Sequence, residues 1–181
     1  MATSCGCNVF SCGIMTLINQ SVMVQATIDV NCMSAAQKVE LAGDIYARQP
    51  NLLASILVLP RFRVSPLQLE VPIHVLMVTF LAMKRCGQDL PLITEDVQET
   101  CLQRLTATMK FTEGMPQILI DQMITEFCGN HREPYLLAFV YSYLGEHDLL
   151  SVRTDAEKFL LLAMFNLVEC VAFVGARLQP K

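Results

Sequence analysis

Two polar side chains interrupt the most apolar stretch of the sequence, and they are its first candidates for binding chemistry. Asn166 and Glu169 lie three residues apart within 159–176, a run whose other members are all apolar. In a helix this spacing places both side chains on one face. A carboxylate buried there would have its charged form disfavoured by desolvation, and it could act as an acid, a base or a ligand anchor. The alternative, which we favour, is a narrow solvated stripe that continues Asp155 and Arg177.

Cysteines near the N-terminus are the second candidate site. Cys5, Cys7 and Cys12, with Cys32 as a fourth ligand, could bind a soft metal such as zinc or copper. Their spacing lacks the repeated C-x2-C pairs that are typical of zinc sites. We therefore interpret them as incidental residues of a tail and expect no cofactor.

The three histidines show no recognisable catalytic or metal-binding pattern. Glu70 and His74 are four residues apart with a proline between them, which differs from the Glu-x-x-His spacing of helical di-metal sites. His131 with Glu133, and His147, fall in predicted loops, and we interpret these loops as solvated polar turns. The common motifs of phosphate cradles, zinc proteases and serine hydrolases are missing from the sequence. These observations favour a protein that is not an enzyme.

Composition narrows the choice of partners. The 181 residues are 53% apolar and 17% charged, with a formal net charge of -4, so no basic excess is present to bind a nucleic-acid backbone. The mean hydropathy of +0.43 is high for a protein of this size. The two most apolar windows, 71–83 and 159–176, both contain polar residues or a proline, which disfavours a membrane span. We expect the surplus apolar surface to be buried by self-association, as a two-fold dimer.

Cysteine usage and the N-terminal sequence bear on location. The other cysteines are scattered through apolar periodic stretches, which is typical of free buried thiols in a reducing compartment. No positive charge precedes Asp29, the first charged residue, so a secretory signal is not expected. We therefore predict a cytoplasmic protein.

The chain divides into a tail and one helical domain. Residues 1–14 are rich in Cys, Gly and Ser and carry no charge, so we predict a flexible tail followed by a single domain over 15–181. Apolar residues alternate with polar ones over 22–30, which predicts a short strand. Such a strand would have to pair with 15–19 or with a second chain, unless the segment is an irregular helix.

The rest of the sequence predicts helices. Ser34 and Thr154 each precede a Gln or Glu by three residues, which is the spacing of a capping box. Asn51 is predicted to cap a short helix, and Thr94 another. Because Pro72 should interrupt a helix, we predict a turn over 66–70 and a separate helix over 72–86. About seven helices result, which indicates an all-α bundle.

The function that these features favour is a non-catalytic interaction or regulatory module that self-associates through apolar helix faces. One alternative is a small-molecule binder, or an enzyme without a known motif, whose apolar pocket contains Asn166 and Glu169. A membrane-associated helical protein is the other.

Overall fold

The computed structural model describes residues 17–87, 91–112 and 115–178, and within these ranges the chain forms eight α-helices, one 3₁₀ turn and no strand. The all-α multi-helix fold is therefore confirmed. The 3₁₀ turn Leu59–Phe62 lies between the third and fourth helices. In chain order the helices are α1 (Gln20–Cys32), α2 (Ala35–Arg48), α3 (Pro50–Leu57), α4 (Pro66–Arg85), α5 (Glu95–Thr112), α6 (Gln117–Asn130), α7 (Pro134–Glu146) and α8 (Asp155–Leu178).

Helices α4 and α8 supply much of the hydrophobic core. Helix α4 packs against α1, α8 packs against α5, and α7 contacts both α8 and α1. The fully buried side chains of these two central helices include Val75, Leu76, Met164 and Val171. Burial of each side chain of this size contributes about 1.5–3 kcal/mol relative to exposure, so these two helices anchor the others.

The same two helices have the length and composition of membrane spans. The segments Pro66–Arg85 and Asp155–Arg177 have mean hydropathies of 1.5 and 2.1, and 50% and 56% of their apolar windows are buried inside the fold. Core helices of globular proteins share this character, so the length and composition of the two helices do not by themselves indicate a membrane.

The strand predicted over 22–30 is wrong, because these residues lie in α1. Their buried positions are Met23, Ala26 and Val30, at helical spacing, while Val24 and Ile28 are 51% and 49% exposed. Asn19 caps the helix by accepting a hydrogen bond from the Val22 N–H. The alternation was misleading because two of its five apolar residues, Val24 and Ile28, face outward. A helix also pairs its own backbone groups, whereas a lone strand would leave them unpaired.

The break predicted at Pro72 is also wrong, since α4 continues through it. An interior proline removes one backbone hydrogen bond and costs about 3 kcal/mol. Here Pro72 and its neighbour Val71 are buried in the core, and a capping box of Ser65 and Gln68 holds the first turn. Tertiary packing offsets the local cost of the proline.

Three of the four predicted helix caps are confirmed. The capping boxes at Ser34 and Thr154 are both formed, and Thr94 accepts a hydrogen bond from the Val97 N–H. Asn51 is not a cap, because α3 already begins at Pro50. The Asn51 side chain instead donates a hydrogen bond to the Ile93 carbonyl at 3.1 Å, and so attaches α3 to the segment that leads into α5.

Helix α6 stands apart from the rest of the fold. Its main packing contact is with α7, and most of its described side chains are exposed, among them Ile118, Leu119, Ile124 and Phe127. A cleft remains between α6 and the packed pair of α5 and α8, and Phe127 is one of the α6 residues that line it.

Candidate functional site

A buried histidine and a half-buried glutamate meet at the edge of this cleft. His131 follows directly after α6 and is 7% exposed, while Glu169 lies on α8. The His131 Nε2 and Glu169 Oε1 atoms are 3.2 Å apart. Glu169 was predicted as part of a solvated stripe, but it has a specific partner 38 residues earlier in the chain.

Backbone geometry determines which ring nitrogen of His131 carries the hydrogen. The Glu133 N–H donates to His131 Nδ1 at 3.1 Å, so the neutral ring carries its hydrogen on Nε2 and donates it to the Glu169 carboxylate. Both nitrogens of His131 are therefore engaged. The ring orients Glu169 and has no free nitrogen to serve as a general base.

The solvated turn predicted for His131 and Glu133 is wrong, because both residues are buried. The Glu133 carboxylate is 2% exposed and accepts hydrogen bonds from the N–H groups of Leu17 and Ile18, at 2.7 and 3.0 Å. Buried backbone N–H groups need a partner, and this carboxylate supplies it for the two residues at the entrance to α1. The turn between α6 and α7 thus has a structural role. His147, by contrast, is exposed as predicted.

Two guanidinium groups flank one aromatic ring in the same cleft. Arg104 of α5 and Arg177 of α8 lie over the Phe173 ring, with their central carbons 5.3 and 4.2 Å from its centroid. Cations are attracted to the face of an aromatic ring, so contact with Phe173 stabilises the position of each guanidinium group at the cleft. Neither arginine forms an ion pair with a carboxylate of the described residues.

This cleft, which we call the charged cleft, has a volume of about 730 Å³. Besides the residues already named, its lining includes a third arginine, Arg132, and a second carboxylate, Glu126. Met123 and Phe127 of α6 contribute apolar surface to the opposite wall, beside Glu126 of the same helix. The charged cleft therefore combines an apolar wall with three positive and two negative side chains.

Asn166 lies elsewhere, in a second cleft on the other side of α5. This apolar groove, of about 480 Å³, runs between α3, the 3₁₀ turn, α5 and α8. The Asn166 side chain is 9% exposed and donates to the Gln98 carbonyl at 3.2 Å. Its amide thus joins α8 to α5. The two polar residues that sequence spacing placed together line different clefts.

Two thiols separate the clefts and are unsuited to nucleophilic chemistry. Cys101 lines the charged cleft, Cys170 lines the apolar groove, and the Cys170 thiol donates a long hydrogen bond, of 3.9 Å, to the Asn166 side-chain oxygen. Burial raises the pKa of both thiols. Because the thiolate is the reactive form, both remain protonated and inert near neutral pH.

The predicted metal ligands Cys5, Cys7 and Cys12, with the whole predicted tail, lie outside the described residues. Within residues 17–87, 91–112 and 115–178, no group of three or more His, Cys, Asp or Glu side chains is placed to hold a metal ion.

Sequence reasoning missed the arginines of the charged cleft. Phe173 and Arg177 are four residues apart and face the same way on a helix, which was a usable signal. The sequence contains no such signal for Arg104, because its contact with Phe173 depends on how α5 packs against α8.

Comparison with known proteins adds no assignment to this geometry: no protein family, curated protein or solved structure matches the chain.

Proposed function

We propose that the protein is a non-catalytic interaction module that forms a two-fold dimer through the apolar groove. The observation that carries this proposal is an exposed aromatic pair at the groove. Phe62 of the 3₁₀ turn and Phe159 of α8 have ring centroids 4.5 Å apart, yet they remain 41% and 38% exposed. Exposed aromatic pairs of this kind are typical centres of protein interfaces.

The chemistry of the groove suits an apolar partner. Leu102 adds a third exposed apolar side chain, and Glu99 is the only charged residue among the described groove residues. The buried amide of Asn166 is already bonded to the Gln98 carbonyl. The groove therefore offers little to recognise a polar or charged ligand, whereas an apolar surface would remove its side chains from water.

A second copy of the chain is the occupant that we propose. A patch without strong charge can face its own copy across a two-fold axis, and such an interface closes at the dimer. Stable interfaces bury about 800 Å² per partner, so surrounding apolar residues would have to contribute beyond the groove. The high apolar content of the chain, 53%, supports burial of this additional surface.

The proposal is tested by the mass of the protein in solution, measured by sedimentation equilibrium without detergent. We expect a dimer for the native chain and a monomer for Phe62→Glu, because a charge at the centre of an apolar interface is desolvated without a partner. At a central position the dissociation constant should rise by about 100-fold. The matched control is Leu67→Glu, at an exposed leucine of α4, and it should remain dimeric.

Circular dichroism shows whether each variant keeps its helices. A native chain that stays monomeric at micromolar concentration, or a folded Phe62→Glu variant that remains as dimeric as the control, contradicts the proposed interface. The cytoplasmic location, and the expectation that neither a nucleic acid nor a membrane is a partner, remain predictions from the sequence.

A further inference from the structure

We propose that the charged cleft between α5, α6 and α8 binds a small anion with an apolar body, such as a medium-chain alkyl carboxylate or alkyl phosphate. This site is separate from the apolar groove and does not depend on dimer formation. The arginines at Phe173 indicate the anionic group of the ligand, and the apolar side chains of α6 indicate its apolar body.

The arginines indicate the anionic group. Arg104 and Arg177 both line the cleft and both contact the Phe173 ring, so an anion bound at this ring would meet two guanidinium groups. Neither guanidinium group has a carboxylate partner among the described side chains. A carboxylate or phosphate bound in the cleft would accept charge-assisted hydrogen bonds from these guanidinium groups.

The walls of the cleft indicate the apolar body. Met123 and Phe127 of α6 face the cleft from one side, and Ala172 and Ala176 of α8 line the other. Phe127 is 44% exposed, so an alkyl chain that covered it would gain hydrophobic free energy on binding. The volume of about 730 Å³ is within the range of small-molecule sites.

The carboxylates of Glu169 and Glu126 oppose the binding of an anion. Substitution of Glu169 therefore tests whether the ligand is negatively charged. The Glu169 carboxylate is held at the cleft by the hydrogen bond from His131. Removing this negative charge should strengthen the binding of an anion and weaken the binding of a cation. Glu169→Gln keeps an oxygen that can accept the His131 hydrogen, so the variant changes the charge with little change in shape.

The chain contains no tryptophan, so Phe127→Trp introduces a single fluorescent reporter into the cleft. With this reporter, octanoate and octyl phosphate are titrated against two controls, octanol and inorganic phosphate. We expect saturable binding of the two alkyl anions, with each control binding at least about tenfold more weakly, because each control lacks one half of the ligand. Vesicles of phosphatidylglycerol, compared with phosphatidylcholine, test whether a lipid headgroup is the source of the anion.

Substitutions then locate the site. Arg104→Gln and Arg177→Gln, each made in the Phe127→Trp chain, should weaken octanoate binding by about tenfold. Arg48→Gln on α2, away from the cleft, should leave binding unchanged. Glu169→Gln should tighten octanoate binding. Phe62→Glu, which tests the dimer, should not alter octanoate binding. The two proposals can therefore fail independently of each other.

Several outcomes would overturn the proposal. Octanol binding as tightly as octanoate would show an apolar site without anion recognition. Folded Arg104→Gln and Arg177→Gln variants that bind like the parent would place the anion elsewhere. Weaker octanoate binding in Glu169→Gln would contradict the assigned charge of the ligand. Response to phosphatidylglycerol vesicles alone would replace the small ligand with a membrane surface.

Discussion

We expect the buried Glu133 carboxylate to make a large contribution to the free energy of unfolding. It accepts hydrogen bonds from the N–H groups of Leu17 and Ile18 at 2.7 and 3.0 Å and is 2% exposed. In Glu133→Gln, the side-chain oxygen can still accept one of these bonds. The new NH₂ group then faces the other N–H, which loses its carboxylate acceptor.

The expected loss follows from these two contacts. A hydrogen bond to a charged group contributes about 1.5–3 kcal/mol, and a buried unsatisfied N–H costs about 1–3 kcal/mol. The neutral amide is less costly to desolvate than the carboxylate, which offsets part of the loss. We therefore expect Glu133→Gln to lower the free energy of unfolding by about 2–4 kcal/mol, and the melting temperature by roughly 5–15 °C for a chain of this size.

Urea denaturation measures the global loss, and native-state hydrogen exchange of the Leu17 and Ile18 amides measures the local one. Both amides should lose protection in Glu133→Gln. The control is Glu146→Gln at the end of α7, where the exposed carboxylate accepts a hydrogen bond of 3.5 Å from the Ser142 hydroxyl, and we expect a change within about 0.5 kcal/mol. A loss below about 1 kcal/mol, or unchanged exchange at both amides, would refute the assigned role of Glu133.

Two further predictions concern titratable groups. Burial lowers the pKa of His74, with smaller contributions from Lys38 and His147. The folded state therefore binds a proton at His74 less readily than the unfolded state does. The free energy of unfolding should fall as the pH decreases below about 6.5. His74→Phe keeps an aromatic ring and removes a buried nitrogen that has no hydrogen-bond partner in the described part of the chain. This variant should flatten the pH dependence of urea midpoints between neutral and acidic pH; an unchanged slope would contradict this. Maleimide labelling with peptide mapping should modify exposed Cys128 rapidly and buried Cys170 only after unfolding, and similar rates for the two would show that the α5–α8 interface is open.

Local sequence signals predicted most of the helices because a cap needs only residues within one turn of each other. Ser34, Thr94 and Thr154 all bond to backbone groups three residues ahead, and these contacts are readable from spacing alone. The same local reasoning failed over 22–30 and at Pro72. In both places the local energies of the alternative conformations differ by only a few kcal/mol, so packing in the core determined which conformation formed.

Most contacts of the candidate site could not be predicted from the sequence. Spacing correctly identified Asn166 and Glu169 as unusual polar residues in an apolar helix, but it could not assign their partners. One bonds to the Gln98 carbonyl and the other to His131, and both partners lie on other elements. Residues on one helix face can still point to different clefts when two neighbouring elements pack on either side of them.

The sequence by itself determined that this protein is helical, where most of its helices begin, and that 53% of its residues are apolar. Those properties depend on residue types and on contacts within a few residues. The tertiary structure alone decided that Glu133 binds the entrance of α1 and that Arg104 meets Arg177 at Phe173. These contacts join residues far apart in the chain, so they exist only once the packing of the helices sets the positions of the side chains.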